Sequence, residues 1–353
     1  MPTNEEHTTP TMNFTWVSDF LTRRIASYPR LAGYYNHNYI VKHKGIYYVV
    51  RVPIPHSDSM DLRLISESVV LPFLAEQNFP APRLLFRAAD DSYYIHSYIP
   101  GTTVADIYND RTSLPDWIAS YLASQLYMLH NLDIRYLKTY YAGVATSPNT
   151  TEFFHNLVRH INGIYETYSP EFGQLYEKLK FPNNLFDKIL ESGGNLSSRS
   201  FVVCHCDIHR RNLILIQNHK ALIILDWELV LVTDPIYDIA VHFHKMGYNS
   251  FQEDLFLQTY LRLAHRLDDL LLYQSQIEIY RRLEKIKSAI VDSVRYAKDL
   301  HQLPLTSAAQ YDYAVRYGRK LMQAREVWGL HGSDMILDPA RLLAILLAAS
   351  PFD

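Results

Sequence analysis

Apolar positions recur every three or four residues from Phe14 to Ser27 (Phe14, Val17, Phe20, Leu21, Ile25), which predicts an amphipathic helix. The polar stretch before it, residues 1–12, reads as a frayed tail. Two β-rich runs follow, Tyr39–Lys42 and Tyr47–Pro53, and a turn centred on Gly45 would join them as a hairpin. Helical spacing returns over Leu62–Ala75 and stops at Phe79-Pro80-Ala81-Pro82, because proline cannot continue a helix. Two further strand-like runs, Arg83–Arg87 and Tyr93–Ile99, end at Pro100-Gly101.

From residue 115 the pattern lengthens. Helical periodicity covers Asp116–Asn131, Thr151–Thr167, Phe251–Leu272, Gln276–Asp299 and Gln310–Trp328, and one more helix begins near Asp234-Pro235. Between them lie three short, continuously apolar runs, Phe201–Cys204, Leu213–Ile216 and Leu222–Leu225, as expected of strands buried beneath helices. The chain is therefore expected to be α+β and bilobal. A small β-rich N-terminal lobe spans 1–96, a hinge 97–101, and a larger, mainly helical lobe with a short β insert 102–353.

With 353 residues, 48% of them hydrophobic and 20% charged, the chain can bury a sizeable core in each lobe. Its 34 Lys and Arg against 37 Asp and Glu argue against a nucleic-acid or polybasic membrane binder, both of which need excess positive charge. No run approaches eighteen apolar residues, so no membrane span is expected. The opening residues are acidic and polar, unlike a secretory signal. Only Cys204 and Cys206 are present, too few for a disulfide framework, and a reducing, cytoplasmic setting fits. Twelve glycines, with no GxGxxG and no GxxxxGK[ST], leave no Gly-rich phosphate cradle.

Chemistry concentrates where polar residues interrupt the β insert. Val203 to Asn212 reads VCHCDIHRRN, and His205-x-Asp207-x4-Asn212 matches the catalytic-loop pattern HxDxxxxN of kinases. After the next strand come Asp226-Trp227-Glu228, then Asp234-Pro235 and Asp238. Phosphoryl transfer is mostly positioning and charge neutralisation, so it wants oxygen ligands for Mg²⁺ and a carboxylate at the accepting hydroxyl. Asn212 and Asp226 supply the first, and Asp207 the second. Glu228 could join the metal site or merely cap local structure. A zinc cluster of Cys204, Cys206, His205 and His209 is disfavoured, since alternate residues of a strand face opposite ways.

These segments resemble the aminoglycoside phosphotransferase and choline kinase-like superfamily, small-molecule kinases whose fold is similar to that of protein kinases. Arg210-Arg211 stands where the family usually has Pro-Gly. The resemblance implies an ATP-dependent phosphotransferase, with GTP able to replace ATP, that uses Mg²⁺ on Asn212 and Asp226, with Glu228 a further candidate ligand, and works with Asp207. His205 and Asp238 would brace the loop. It extends to the first lobe, where Gly33–Tyr39 and Tyr47–Pro53 look like the nucleotide-covering hairpin. Arg51 would then hold phosphate, Glu67 would pair with it, and the backbone of His96, Ser97 and Tyr98 would meet the base. Leu129-His130 resembles the family's core Leu-His.

The acceptor is a small-molecule hydroxyl compound, with no nucleic acid or membrane partner, and the chain is a monomer or homodimer. An antibiotic is favoured on family breadth and on acidic residues in the later helices (Glu253, Asp254, Asp268, Asp269, Asp312, Glu326), which would suit a cationic aminoglycoside. Tyr311, Tyr313, Tyr317 and Trp328 could instead form an aromatic wall for a quaternary or amino group. The alternative within enzymes is a metabolic kinase for choline, ethanolamine, a sugar or a related alcohol. A nucleotide-binding pseudokinase is a third reading. Protein-kinase activity is disfavoured, because Asp234-Pro235 follows Asp226 too closely for an activation segment.

Overall fold

The computed structural model describes residues 14–31, 33–55, 57, 60–109, 112–137, 149–216, 221–330 and 338–349; the polar stretch 1–12 lies outside them. The first segment is helical throughout but not uniformly so. Its α-turn α1 (Trp16–Asp19) passes into a π-turn over Phe20–Arg24 and a 3₁₀ turn over Ile25–Ser27. Strands β1 (Asn36–His43) and β2 (Ile46–Pro53) form a hairpin whose two-residue turn, Lys44-Gly45, has positive φ at both positions, as a type I′ turn requires.

Helix α2 (Glu67–Glu76) begins five residues later than the periodicity predicts. Ser66 is extended and its hydroxyl accepts the Ser68 N–H, a capping geometry that holds Leu62–Ile65 out of the helix. Strands β3 (Leu84–Arg87) and β4 (Tyr94–Ser97) complete a four-stranded antiparallel sheet of order β1-β2-β4-β3. Alternation along β2 sends Val50 to one face and Arg51 to the other. Val50, Tyr39, Val41, Tyr48 and Ile95 form a core with Phe14, Val17 and Phe20. Arg51, opposite Tyr94 in register, faces the cleft.

Beyond the sheet, β5 (Thr102–Thr103) and the single turn α3 (Val104–Ile107) precede α4 (Asp116–His130), α5 (Thr150–Lys178) and α6 (Asp187–Gly193). Then come β6 (Val202–Cys204), β7 (Leu213–Ile216), β8 (Ala221–Ile224) and β9 (Leu231–Thr233). The expected single β patch is two ladders. β7 pairs with β8 and with β5, whereas β6 pairs with β9, a strand too short for its period to be read. Gly101 lets the hinge lie against β7: a Cβ there would stand 2.5 Å from Ile214 Cγ2 and 2.6 Å from the Leu215 carbonyl oxygen.

The remaining elements are helical: α7 (Pro235–Met246), α8 (Ser250–Leu263), α9 (Leu270–Gln302), α10 (Ser307–Trp328) and α11 (Pro339–Leu347). The predicted helix Phe251–Leu272 is broken. α8 ends with His265 in the left-handed region, the His265 N–H on Arg262 O and the Arg266 N–H on Leu261 O, a Schellman closure made without the usual glycine. The large core runs from α4 and α5 through α7 and α9 to α10, and α2 joins it through Leu71, Leu74 and Phe79, which meets Trp227 edge-on at 5.5 Å.

Candidate active site

Helix α7 supports the polar loop between β6 and β7. Asp234 caps its start through the Ile236 N–H and Pro235 occupies its first position, so Asp238 lies one turn in and fully buried. Its two oxygens accept the N–H groups of His205 at 3.0 Å and Cys206 at 2.7 Å, and His130, ending α4, reaches Asp238 at 3.1 Å. Burial opposes ionisation of Asp238, but these bonds outweigh it and hold the carboxyl below its ordinary value. Cys206 takes a left-handed backbone (φ 60°), which only this double anchor makes tolerable.

The buried His205 ring links the loop to the end of β8. Nδ1 accepts the Asp207 N–H at 3.2 Å, so the proton sits on Nε2, which donates to the Leu225 carbonyl at 3.0 Å. Burial lowers the His205 pKa, which agrees with this neutral tautomer. Cys204 and Cys206 are both buried free thiols, one on β6 and the other on the loop.

Asp207 follows with its carboxylate turned to the cleft. One oxygen meets Lys245 Nζ at 2.5 Å; the other accepts Asn212 Nδ2 at 3.1 Å and has His209 Nε2 at 3.6 Å. Burial raises its pKa, but Lys245 and then His209 outweigh burial and keep it well below the usual carboxylate range. The Asn212 amide nitrogen is thus committed to Asp207, so the amide oxygen is the atom it offers a cation. Asn212 O accepts the Leu225 N–H at 2.8 Å, and the β7–β8 ladder therefore sets Asn212 beside Asp226.

Asp226 also has left-handed backbone (φ 64°) and a carboxylate 31% exposed. Arg51 joins it from the other lobe: its guanidinium lies 2.9 Å from Asp226, 3.1 Å from Glu228 and 2.5 Å from Glu67. Glu67 in turn accepts the Tyr94 hydroxyl at 2.7 Å and the Trp227 N–H at 2.9 Å. Three carboxylates thus share one guanidinium. Burial, and then Asp226 beside it, push the Glu228 pKa up to about 8, although Asn36 Nδ2 also bonds it at 2.6 Å. The cluster has more negative charge than Arg51 balances, and Arg51 Nε is buried without a hydrogen-bond partner.

The hinge residues are less uniform than expected. His96 is buried within the sheet, opposite Val49 and Leu84. Both backbone groups of Ser97 have partners, its N–H on the Arg83 carbonyl and its carbonyl near His96 Nδ1 at 3.0 Å. Tyr98, beyond the ladder, packs its ring against Tyr47 at 5.5 Å.

Several organising residues carry no signal in the motif pattern. Lys245 is one, placed at Asp207 only by the fold of α7. Arg210 is another: buried, it donates to the carbonyls of Met246, Tyr108, Asn109 and Thr112 and so closes the turn that Pro-Gly usually makes. Asn36 is a third, on β1 against Glu228. The acidic candidates for an acceptor lie elsewhere. Glu253 pairs with Arg281, Asp269 with Arg266 and Asp312 with Arg316; Asp254 bonds Gln274; Asp268 and Glu326 are exposed. Tyr317 and Trp328 are core residues whose polar atoms bond the Ala289 and Leu185 carbonyls, whereas Tyr311 is exposed and Tyr313 lies against Tyr296.

Comparison with known proteins agrees with this geometry. A family profile described as "Phosphotransferase enzyme family" matches residues 28–274. No curated protein matches the chain. Among solved structures, a choline/ethanolamine kinase family protein from Mesorhizobium loti is 16% identical, with 90% of this chain and 92% of that one covered and a TM-score of 0.56. The choline kinase LicA from Streptococcus pneumoniae is 17% identical over 88% of this chain and 100% of its own, with a TM-score of 0.58. A gentamicin complex of APH(2")-IIa is 17% identical over 93% and 100%, at 0.54. With a kinase-like two-lobed fold and a profile match over most of its length, the chain belongs to the phosphotransferase enzyme family.

Proposed function

We propose that the protein transfers the γ-phosphate of ATP, with GTP as the alternative donor, to a hydroxyl of a small molecule. The observation that carries this reading is the convergence of Asp207, Asn212 and Asp226 from two adjacent turns, facing Arg51 across the cleft. The donor set fits Mg²⁺: it is carboxylate and amide oxygen, it holds uncompensated negative charge, and no thiol or imidazole belongs to it. Asn212 and Asp226 would hold the ion, with Glu228 beside them, and the ion would neutralise phosphate charge.

The chain's own residues do the rest. Arg51 would hold the phosphates, kept in place by Glu67. Asp207 orients the acceptor hydroxyl. As the hydroxyl oxygen bonds to the γ-phosphorus and the nucleoside diphosphate departs, the hydroxyl proton passes to Asp207. Lys245 and His209 keep that carboxylate ionised, and Asn212 helps to aim it. Tyr98 and the chain after it are better placed than Ser97 to meet a base, since Ser97 is committed to the sheet.

An antibiotic acceptor, with the resistance role it implies, and a choline, ethanolamine or sugar acceptor both remain within this reading. The paired or exposed state of the acidic residues above removes the specific support for a cationic aminoglycoside. Acceptor-dependent release of nucleoside diphosphate, with the phosphorylated product identified by ³¹P NMR, tests the proposal. Asp207→Asn should lower turnover by about 10²–10⁴-fold while nucleotide binding persists. Near-normal turnover in that variant rejects the assignment, and nucleotide binding with no transfer in the unmodified protein favours a pseudokinase.

A further inference from the structure

Asp207 has a partner that the HxDxxxxN pattern does not contain. Lys245, in the last turn of α7, lies 2.5 Å from its carboxylate and keeps 28% of its side chain exposed. A lysine ammonium has three donors, and one is spent on Asp207. A second cation stands on the same loop. Arg211 is exposed, has no carboxylate within ion-pair distance among the described residues, and lies close enough to Tyr296 of α9 and Tyr313 of α10 for its charge to act on both.

The carboxylates nearby are already committed. Asp61 pairs with Lys287 at 3.0 Å and Arg295 at 3.1 Å, Asp292 pairs with Lys320, and Glu284 accepts the Tyr237 hydroxyl at 3.0 Å. Asp299 has the Tyr313 hydroxyl at 3.4 Å, and burial raises its pKa. A cationic acceptor on Asp207 would therefore meet Lys245 and Arg211, with each of these four neighbouring carboxylates among the described residues already engaged. An anionic acceptor would find charge-assisted donors there, and those cations would also relieve its repulsion from the incoming triphosphate.

We propose that Lys245 and Arg211 select an acceptor bearing an anionic group, phosphate or carboxylate, beside the hydroxyl that is phosphorylated. This rests on the kinase reading of Asp207. The test is steady-state kinetics with the full chain and Mg-ATP over matched hydroxyl compounds: a neutral sugar, its phosphate, its sugar acid and its amino sugar. The phosphate or the acid should show a kcat/KM at least about tenfold above the neutral sugar, with the amino sugar lowest. Which anion leads distinguishes phosphate from carboxylate recognition.

Lys245→Met should lower kcat for every acceptor alike, because Lys245 also aims Asp207, and should in addition collapse this preference to within about threefold, while Lys245→Arg retains it and Arg211→Ala weakens it. Thermal shifts with Mg-ATP, equal in all variants, would show that the donor half and the fold are intact, so that the change belongs to the acceptor. An amino sugar or neutral sugar used as well as the anions overturns the inference and leaves the kinase reading standing. So does a charge preference that survives both Lys245→Met and Arg211→Ala. Mg-ATP binding with no acceptor of any charge phosphorylated overturns both.

Discussion

Several histidines of this protein have lowered pKa values, and they make its stability depend on pH. His242, fully buried in α7, sits 3.2 Å from the Ile208 carbonyl through Nδ1 while Nε2 has no hydrogen-bond partner. Burial lowers its pKa to about 4, and half-buried His244 is lowered to about 3, by desolvation first and then by Lys245 and other cations around it. His96, His160 and His205 move in the same direction, burial first among the causes. The unfolded chain binds protons at these sites from about pH 6.5 downward and the native chain does not. Stability should therefore fall as pH drops from 6.5 toward 4, by up to about 1.4 kcal/mol per pH unit for each such group. Glu228, raised to about 8, acts in the opposite sense across pH 8 to 4.5, so the informative quantity is a difference in slope. Denaturant unfolding of His242→Asn, which keeps an Nδ1-like donor, should show a slope shallower by about one proton in that window. An unchanged slope would mean that His242 is not neutral in the native state.

Arg210 shows how an element's end is held by a residue remote in sequence. Helix α7 closes at Gly247 in the left-handed region (φ 68°), and the carbonyls of Met246 and of the stretch after α3 converge on the Arg210 guanidinium. A planar fork of five donors can serve all of them at once, whereas an ammonium cannot. Arg210→Ala should cost about 2–4 kcal/mol, since it leaves several buried carbonyls unsatisfied, and Arg210→Lys should recover little. Hydrogen exchange should then rise first at the end of α7 and at Tyr108–Asn109; uniform exchange across the protein would count against this coupling. The periodicity locates α4 and α10 to within three residues because each has a long apolar stripe, but it starts α9 six residues late. It overruns at α8 because His265, not glycine, takes the left-handed turn there, and it overruns at the start of α2 because Ser66 caps a helix that the Leu62–Ile65 spacing also suits.

Across the whole molecule, the cleft is tied at both ends by ion pairs between the lobes. At one end Arg51 spans to Asp226 and Glu228. At the other, Asp61, in the link between β2 and α2, bonds Lys287 and Arg295 of α9 and accepts the Tyr35 hydroxyl at 2.6 Å. Arg295 also stacks over the Tyr34 ring at 4.2 Å. Asp61 is largely buried, and burial raises its pKa, but Lys287 and Arg295 outweigh it and hold the carboxyl well down. Asp61→Asn would remove the carboxylate that Lys287 and Arg295 share, leaving Lys287 only Glu284 at 4.0 Å, a loss of up to about 3 kcal/mol by unfolding. It should also increase hydrogen exchange over residues 60–66 and loosen the acceptor side of the cleft. Exchange unchanged in that segment would show that the tie is dispensable.

The chain's own pattern determined the two-lobed order of strands and helices, and the spacing of His205, Asp207, Asn212 and Asp226 named the chemistry, because loop ligands lying close in sequence leave a local signature. The pairing of Glu67 with Arg51 is expected only from the family resemblance, and the two meet at 2.5 Å. Tertiary structure alone decided that Lys245 sits on Asp207, that Arg210 closes the loop, that Asp61 reaches α9 and that four of the candidate acidic residues, Glu253, Asp254, Asp269 and Asp312, have side-chain partners of their own. These contacts of Lys245, Arg210 and Asp61 join residues 36 to 234 positions apart. Charge has no period along a chain, so only the packing of α7 and α9 against the loop reveals which ions meet.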